Sequence, residues 1–144
     1  ELTAAEIQQG LRAGIRTGVI VPVFLAAATH NVGAVALLDA IANYFPNPAE
    51  MPAEIAVKPD SQEEVELPPR SDGPLVALVF KTIADPYVGK LNYLRVYSGE
   101  FSGDSRVWNV NKEKEERIGS VLITRGKEQD HVDKLALGDI GAVA

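Results

Sequence analysis

The stretch "VGKLNYLRVYSGEF", Val88–Phe101, limits the fold more than any other part of the chain. Its side chains alternate with a period of two between Gly89 and Gly99, a strand pattern rather than a helical one. Leu91, Tyr93, Arg95 and Tyr97 share one face, and Asn92, Leu94, Val96 and Ser98 share the other. Both faces carry sizeable residues, which suits the wall of a small barrel. Leu94 and Val96 are expected to fill the interior, sending Arg95 and Tyr97 outward.

The same grammar continues on both sides. "LVALVFKTI", "SRVWNVN", "ERIGSVLITRG" and the closing "DIGAVA" read as strands, and glycines at 99, 103, 119, 126, 138 and 141 punctuate them. "EQDHVDKL" is polar and reads as a loop or single turn. Five or so strands with tight turns predict a small closed β-barrel over residues 74–144, its last strand incomplete. Closure would remove the exposed edges of a short open sheet. Trp108, Tyr93 and Tyr97 lack the surrounding bases of an RNA stacking platform and are expected in the barrel core or rim.

Residues 1–48 follow a different rhythm. Thr3 and Glu6 have the spacing of a capping box, and Ile7, Leu11 and Ile15 then recur every four residues along one helix face. Gly18 is a natural stop. "VIVPVFLAA", Val19–Ala27, is an apolar, β-branched run and reads as a buried parallel strand. After "THNVG", Val35, Leu38, Ile41, Ala42 and Phe45 repeat at helical spacing until Pro46 and Pro48. This helix-strand-helix is an α/β remnant, too small to cover both faces of its own strand. The chain opens at Glu1 without a methionine and closes at "GDIGAVA" without a turn, so both ends read as cuts in a longer protein.

Between these parts, residues 49–73 are proline-rich and hold seven acids against two bases. They read as an acidic linker with one short strand around Glu54–Val57. Most of the chain's net charge of −6 lies there. Residues 74–144 hold ten acids and ten bases, which leaves room for a basic face.

Composition removes several classes of function. There is no cysteine, so disulfides and thiolate metal sites are excluded. His30 and His131 are the only histidines and lie far apart in sequence, which argues against an imidazole metal centre. No window is long and apolar enough to span a bilayer as a helix. No nucleophile–base set or carboxylate pair marks a metabolic active site. His30 as a catalytic base lacks any nearby partner, and Asn31 reads as a residue that starts the next helix. His131, among Glu128, Asp130 and Asp133, reads as part of a solvated turn.

"DPYVGKLNYLRVYSGEF", followed by "ERIGSVLITRGKEQDHVDKLALGDIGAVA", resembles the second domain of elongation factor G, the β-barrel common to translational GTPases. Asp85, Pro86, Gly89, Lys90, the run Arg95–Gly99, the strand around Ile118, and Ala136, Gly138 and Asp139 carry the likeness. "EIQQGLRAGIRTGVIVPVFLAAATHNVGAVALLDAIANYFPNP" is similar to the last helix-strand-helix of the family's GTP-binding domain, which precedes that barrel.

The resemblance implies a cytoplasmic parent that uses GTP and magnesium on the ribosome for translocation or remodelling. Its barrel would dock on small-subunit ribosomal RNA and couple to other domains of the same chain. Ribosome-protection proteins and release-factor-type GTPases share that barrel. The family's guanine-contacting Gly-Ser-Ala corresponds to Ala26, Ala27 and Ala28, where a backbone N–H at Ala28 can still serve but the serine hydroxyl is missing. This departure points to a divergent paralogue of the main translocase. The chain has no G-x-x-x-x-G-K-[ST] and no Asn-Lys-x-Asp, so no GTPase activity of its own is expected.

Arg95, Lys112, Lys114, Arg117, Arg125 and Lys127 are the candidate contacts to ribosomal RNA or to another domain. Glu113, Glu115 and Glu116 interleave with three of these cations, so a hairpin of mixed surface charge is the competing reading. The alternative function is a free-standing barrel that recruits RNA or protein without nucleotide chemistry. No membrane contact is implied. A homodimer through exposed sheet edges is a further expectation.

Overall fold

The computed structural model describes residues 1–58, 61–86 and 88–144. The turn expected at "DPYVG" includes Tyr87, and the linker includes Pro59 and Asp60; these three lie outside the described residues. The chain divides into two units, Glu1–Asn47 and Pro48–Ala144.

In the first unit, helix α1 (Ala4–Arg16) starts with the expected capping box. Thr3 Oγ1 accepts from the Glu6 N–H at 3.3 Å, and the Glu6 carboxylate accepts from the Thr3 N–H at 2.7 Å. That backbone bond, with the Thr3 hydroxyl, holds the Glu6 carboxyl below its ordinary range. The helix ends at Thr17, and Gly18 takes a left-handed φ of 71°. Helix α2 (Ala34–Tyr44) stops before Pro46, as the sequence predicts.

The run between the helices corrects the reading of Val19–Ala27 as a strand. It forms no ladder among the described residues, beyond an isolated bridge from Ala27 to Val32. A strand needs a neighbour for its backbone groups, and no segment of this unit supplies one. Val19 is 82% exposed and Leu25 is 92% exposed.

The second unit is all β. Strands β1 (Glu54–Val57) and β2 (Glu64–Leu67) form an antiparallel hairpin, with Ile55 opposite Glu66 and Ala56 opposite Val65. The stretch read as a tether therefore has structure of its own, and Leu67 is buried. Ahead of the next strand, the Arg70 guanidinium pairs with Asp72 at 2.6 Å and holds that carboxyl below its ordinary range.

A five-stranded antiparallel sheet follows. It comprises β3 (Val76–Asp85), β4 (Gly89–Ser98), β8 (Val121–Arg125), β9 (Glu128–Val132) and β11 (Ile140–Val143), in the order β3-β4-β11-β8-β9. Its outer strands are tied at one end, where Gln129 Nε2 donates to Asp85 Oδ2 at 3.0 Å. Two short pairs flank it: β5 (Phe101–Ser102) with β10 (Lys134–Leu135), and β6 (Arg106–Asn109) with β7 (Lys114–Arg117). This antiparallel organisation is that of the small barrel class expected from the alternation.

The sheet buries side chains on both faces. Leu94 and Val96 of β4 join Phe101, Ile118, Val121, Leu135 and Val143 in one cluster, as their alternation predicts. Leu91, Leu122 and Ala142 form a second cluster, with Ile83 and Tyr93 packed against it. Tyr97 and Arg95 are half-buried on the side away from Leu94.

Two sequence expectations change here. "EQDHVDKL" is not a loop: Glu128–Val132 pairs with β8 along its whole length, from Arg125 opposite Glu128 to Val121 opposite Val132. The two-residue turn Gly126–Lys127 makes this possible, because Gly126 has a φ of 63° and fits the first central position of a II′ hairpin. Cross-strand pairing thus outweighs the low strand propensity of Gln, Asp and His. "ERIGSVLITRG" is not one strand but two, separated at Ile118–Ser120.

Ser98 is the buried exception to an apolar interior. Its Oγ has no hydrogen-bond partner among the described residues, and a side chain on Gly73 would lie 2.6 Å from it. An unsatisfied buried hydroxyl carries an uncompensated desolvation cost. Ser98→Ala is therefore expected to leave stability unchanged or to raise it by up to about 1 kcal/mol, measured by urea denaturation. A loss above that figure would mean that the hydroxyl has a partner in solution.

Candidate nucleic-acid interface

The six cations singled out in the sequence fall on three elements. Arg95 sits mid-way along β4, opposite Leu78 on one side and Ile140 on the other. Its guanidinium lies 5.0 Å from the centre of the Tyr97 ring, a cation–π distance. Both residues border a cavity of about 240 Å³, shared with Met51, Pro52, Leu67 and Leu137. Arg95 thus stacks on Tyr97 in the lining of a cavity whose walls mix apolar side chains with Glu54.

Arg125 and Lys127 belong to the β8–β9 hairpin. Arg125 Nη2 pairs with Asp130 Oδ2 at 3.0 Å, while Lys127 is exposed at the turn. The remaining cations cluster on the β6–β7 hairpin. Lys112 Nζ donates to Glu116 Oε1 at 2.8 Å, and Lys114 Nζ lies 3.8 Å from the same oxygen. Asn109 Nδ2 donates to the other carboxylate oxygen at 3.0 Å. Lys112, then Asn109, hold the Glu116 carboxyl below its ordinary range. Lys112 thus has a direct carboxylate partner, and Lys114 lies near the same one while both remain exposed.

Sequence reasoning left Trp108 between core and rim and missed one residue altogether. Trp108, expected in the core or rim, is 50% exposed on β6. Arg106 was not singled out at all. The period of two places Arg106 and Trp108 on the outer face of the hairpin, while Val107 points back against the core cluster. Arg106 stands directly opposite Arg117 on β7, and Trp108 opposite Glu115. The spacing Arg-x-Trp in "SRVWN" was the available signal.

In the first unit, Ala26 and Ala27 precede a 3-10 turn over Ala28–His30. Ala27 donates to Val32 O at 3.0 Å and its own carbonyl accepts from His30 and Val32. Ala28 begins the turn, where an N–H has no acceptor within it. Gly33 is needed beside this loop: a Cβ there would lie 2.7 Å from Leu25 O, and its φ is 79°. Asn31 takes a left-handed φ of 54° and closes that turn, and Gly33, not Asn31, caps α2. His131 lies on β9 opposite Leu122 rather than in a turn. No group of His, Cys, Asp or Glu able to hold a metal ion occurs among the described residues. No helix among them is long and apolar enough to cross a membrane.

Residues 74–144 match the family model described as elongation factor G domain 2. A crystal structure of a protein from Thermus thermophilus superimposes with a TM-score of 0.69 at 25% identity, covering 99% of this chain. The chain spans 19% of the length of that protein.

Proposed function

Because this chain is elongation factor G-like, its residues 74–144 belonging to the elongation factor G domain 2 family, we propose that it works as part of a GTP-dependent translation factor on the ribosome. In that reading the barrel is a docking and coupling domain in the cytoplasm. It holds no catalytic group, and its cations meet small-subunit ribosomal RNA or a neighbouring domain. GTP and magnesium would be bound by other segments of such a factor, with Ala26, Ala27 and Ala28 supplying at most the guanine edge. The activity in question is translocation or ribosome remodelling.

The family match over the barrel carries this proposal. Support comes also from the kind of contact the surface allows. Arg95 and Arg125 lie on strands of the five-stranded sheet, Lys127 on the turn after Arg125 and Arg117 on β7, positions from which basic side chains can neutralise phosphates without reading bases.

Co-sedimentation with purified small ribosomal subunits tests the proposal. The chain is expected to pellet at about 50 mM salt and to release steeply by about 200 mM, as counterion-linked binding requires. Arg125→Gln with Lys127→Gln should flatten that salt dependence. Failure to pellet at the lower salt would overturn the docking role, and GTP turnover by this chain alone would overturn the division of labour.

A further inference from the structure

The outer face of the β6–β7 hairpin carries a feature that local stability does not account for. Arg106 and Arg117 are direct cross-strand neighbours. Like charges in that position destabilise a strand pair. Among the described residues each has one exposed acidic partner: Arg106 Nη1 donates to Glu115 Oε2 at 3.1 Å, and Arg117 Nη2 lies 3.9 Å from Asp104 Oδ1. Such surface pairs contribute little and are readily exchanged for a stronger anion. Beside them on the same face stands the chain's single tryptophan, half in solvent although its strand neighbour Val107 is packed inward.

We propose that Arg106, Trp108 and Arg117 form a platform for unpaired, single-stranded RNA. The indole would stack one base, and the two guanidinium groups would hold the adjoining phosphate. The pairing of one aromatic face with two forked cations suits a nucleotide unit, which offers a π-face and an anion a short distance apart. Duplex RNA offers the anion without the free face. The inference deepens the ribosomal reading, since it rests on RNA as the partner and names which surface meets it. It also separates the cations of this hairpin by position: Lys114 and Glu116, opposite Asn109 and Val107, lie on the other face from Arg106, Trp108 and Arg117, and Lys112 donates to Glu116.

The single tryptophan gives a direct readout. A uridine 12-mer titrated into the full chain at low salt is expected to quench Trp108 fluorescence saturably, whereas an equal concentration of duplex RNA quenches weakly. With labelled 12-mer followed by anisotropy, Trp108→Leu should weaken binding about tenfold or more, and Trp108→Phe should keep most of it. Arg106→Gln with Arg117→Gln should reduce the slope of log affinity against log salt by about 0.7, the share of one single-strand phosphate. Lys112→Gln should change neither. Circular dichroism of each variant confirms folding.

Absence of quenching at low salt overturns the proposal, as does equal quenching by a polyglutamate peptide, which would assign the face to an acidic protein segment. If the Trp108 and arginine variants lose the 12-mer yet still pellet with small subunits, the platform stands and docking uses other residues. If the chain pellets with small subunits but never quenches with the 12-mer, the docking role survives and the platform does not.

Discussion

Leu94→Ala is expected to destabilise the Pro48–Ala144 unit by about 2–5 kcal/mol. Leu94 is 1% exposed and lies within the cluster that joins β4 to Phe101, Val121, Leu135 and Val143. Removing its isopropyl group loses the transfer free energy of those atoms and leaves a hole. Strands locked by pairing on both sides, as β4 is between β3 and β11, cannot close around it. A domain of this kind is stable by only about 5–15 kcal/mol, so the loss is a large share. Urea denaturation should show a lowered midpoint at unchanged slope. A change below about 1 kcal/mol would mean that Leu94 is not in the core and that the register of β4 is wrong, since a one-residue slip would turn it to the other face.

Gly99→Ala is the second change with a large expected effect. Gly99 ends β4 with a φ of 70°, a region that costs an L-residue about 1–2 kcal/mol. Its added Cβ would also lie 2.8 Å from Gly73 O and 2.9 Å from the Leu75 N and Cα. These are backbone atoms, which cannot rotate aside as a side chain does. Overpacking of this sort adds about 1–3 kcal/mol. The Gly99 N–H also donates to Arg70 O at 2.8 Å, so moving the turn would disturb that bond. Thermal melting should fall by roughly 4–8 °C for each kcal/mol lost. Gly119→Ala is the control: nothing lies within 4 Å of its Cβ position and its φ is not in the left-handed region. Equal melting of the two variants would remove the argument.

Much of the architecture was legible in the sequence because certain signals are local. The capping box at Thr3 and Glu6 involves four consecutive residues and forms as read. The alternation of β4 fixes Leu94 and Val96 inward, since period two leaves them no other face. Signals that depend on a partner were less legible. Val19–Ala27 has the composition of a strand but no neighbour within its unit, so it forms no ladder. Glu128–Val132 has the composition of a loop but is carried into the sheet by the Gly126–Lys127 turn and the apolar β8 beside it.

The same limit applies to the interface. Six basic residues were identifiable as cations, but which of them already have a carboxylate cannot be read from spacing alone. Lys112 and Lys114 converge on Glu116 because the hairpin turn brings 112, 114 and 116 to one side. Arg106 went unnoticed because its significance lies in the residue across the ladder, Arg117, which only the register reveals.

The position of β11 bears on how such a protein is made. It lies between β4 and β8, with Ile140 opposite Arg95 and Val143 opposite Val121, although it comes last in the chain. A nascent polypeptide would therefore release β3 and β4 into solvent well before the strand that completes them leaves the exit tunnel. Domains built on such distant pairings fold slowly, and their half-made sheets are prone to aggregate. Early hairpins would form first and the middle would be filled afterwards, a sequence of events in which a chaperone has time to act.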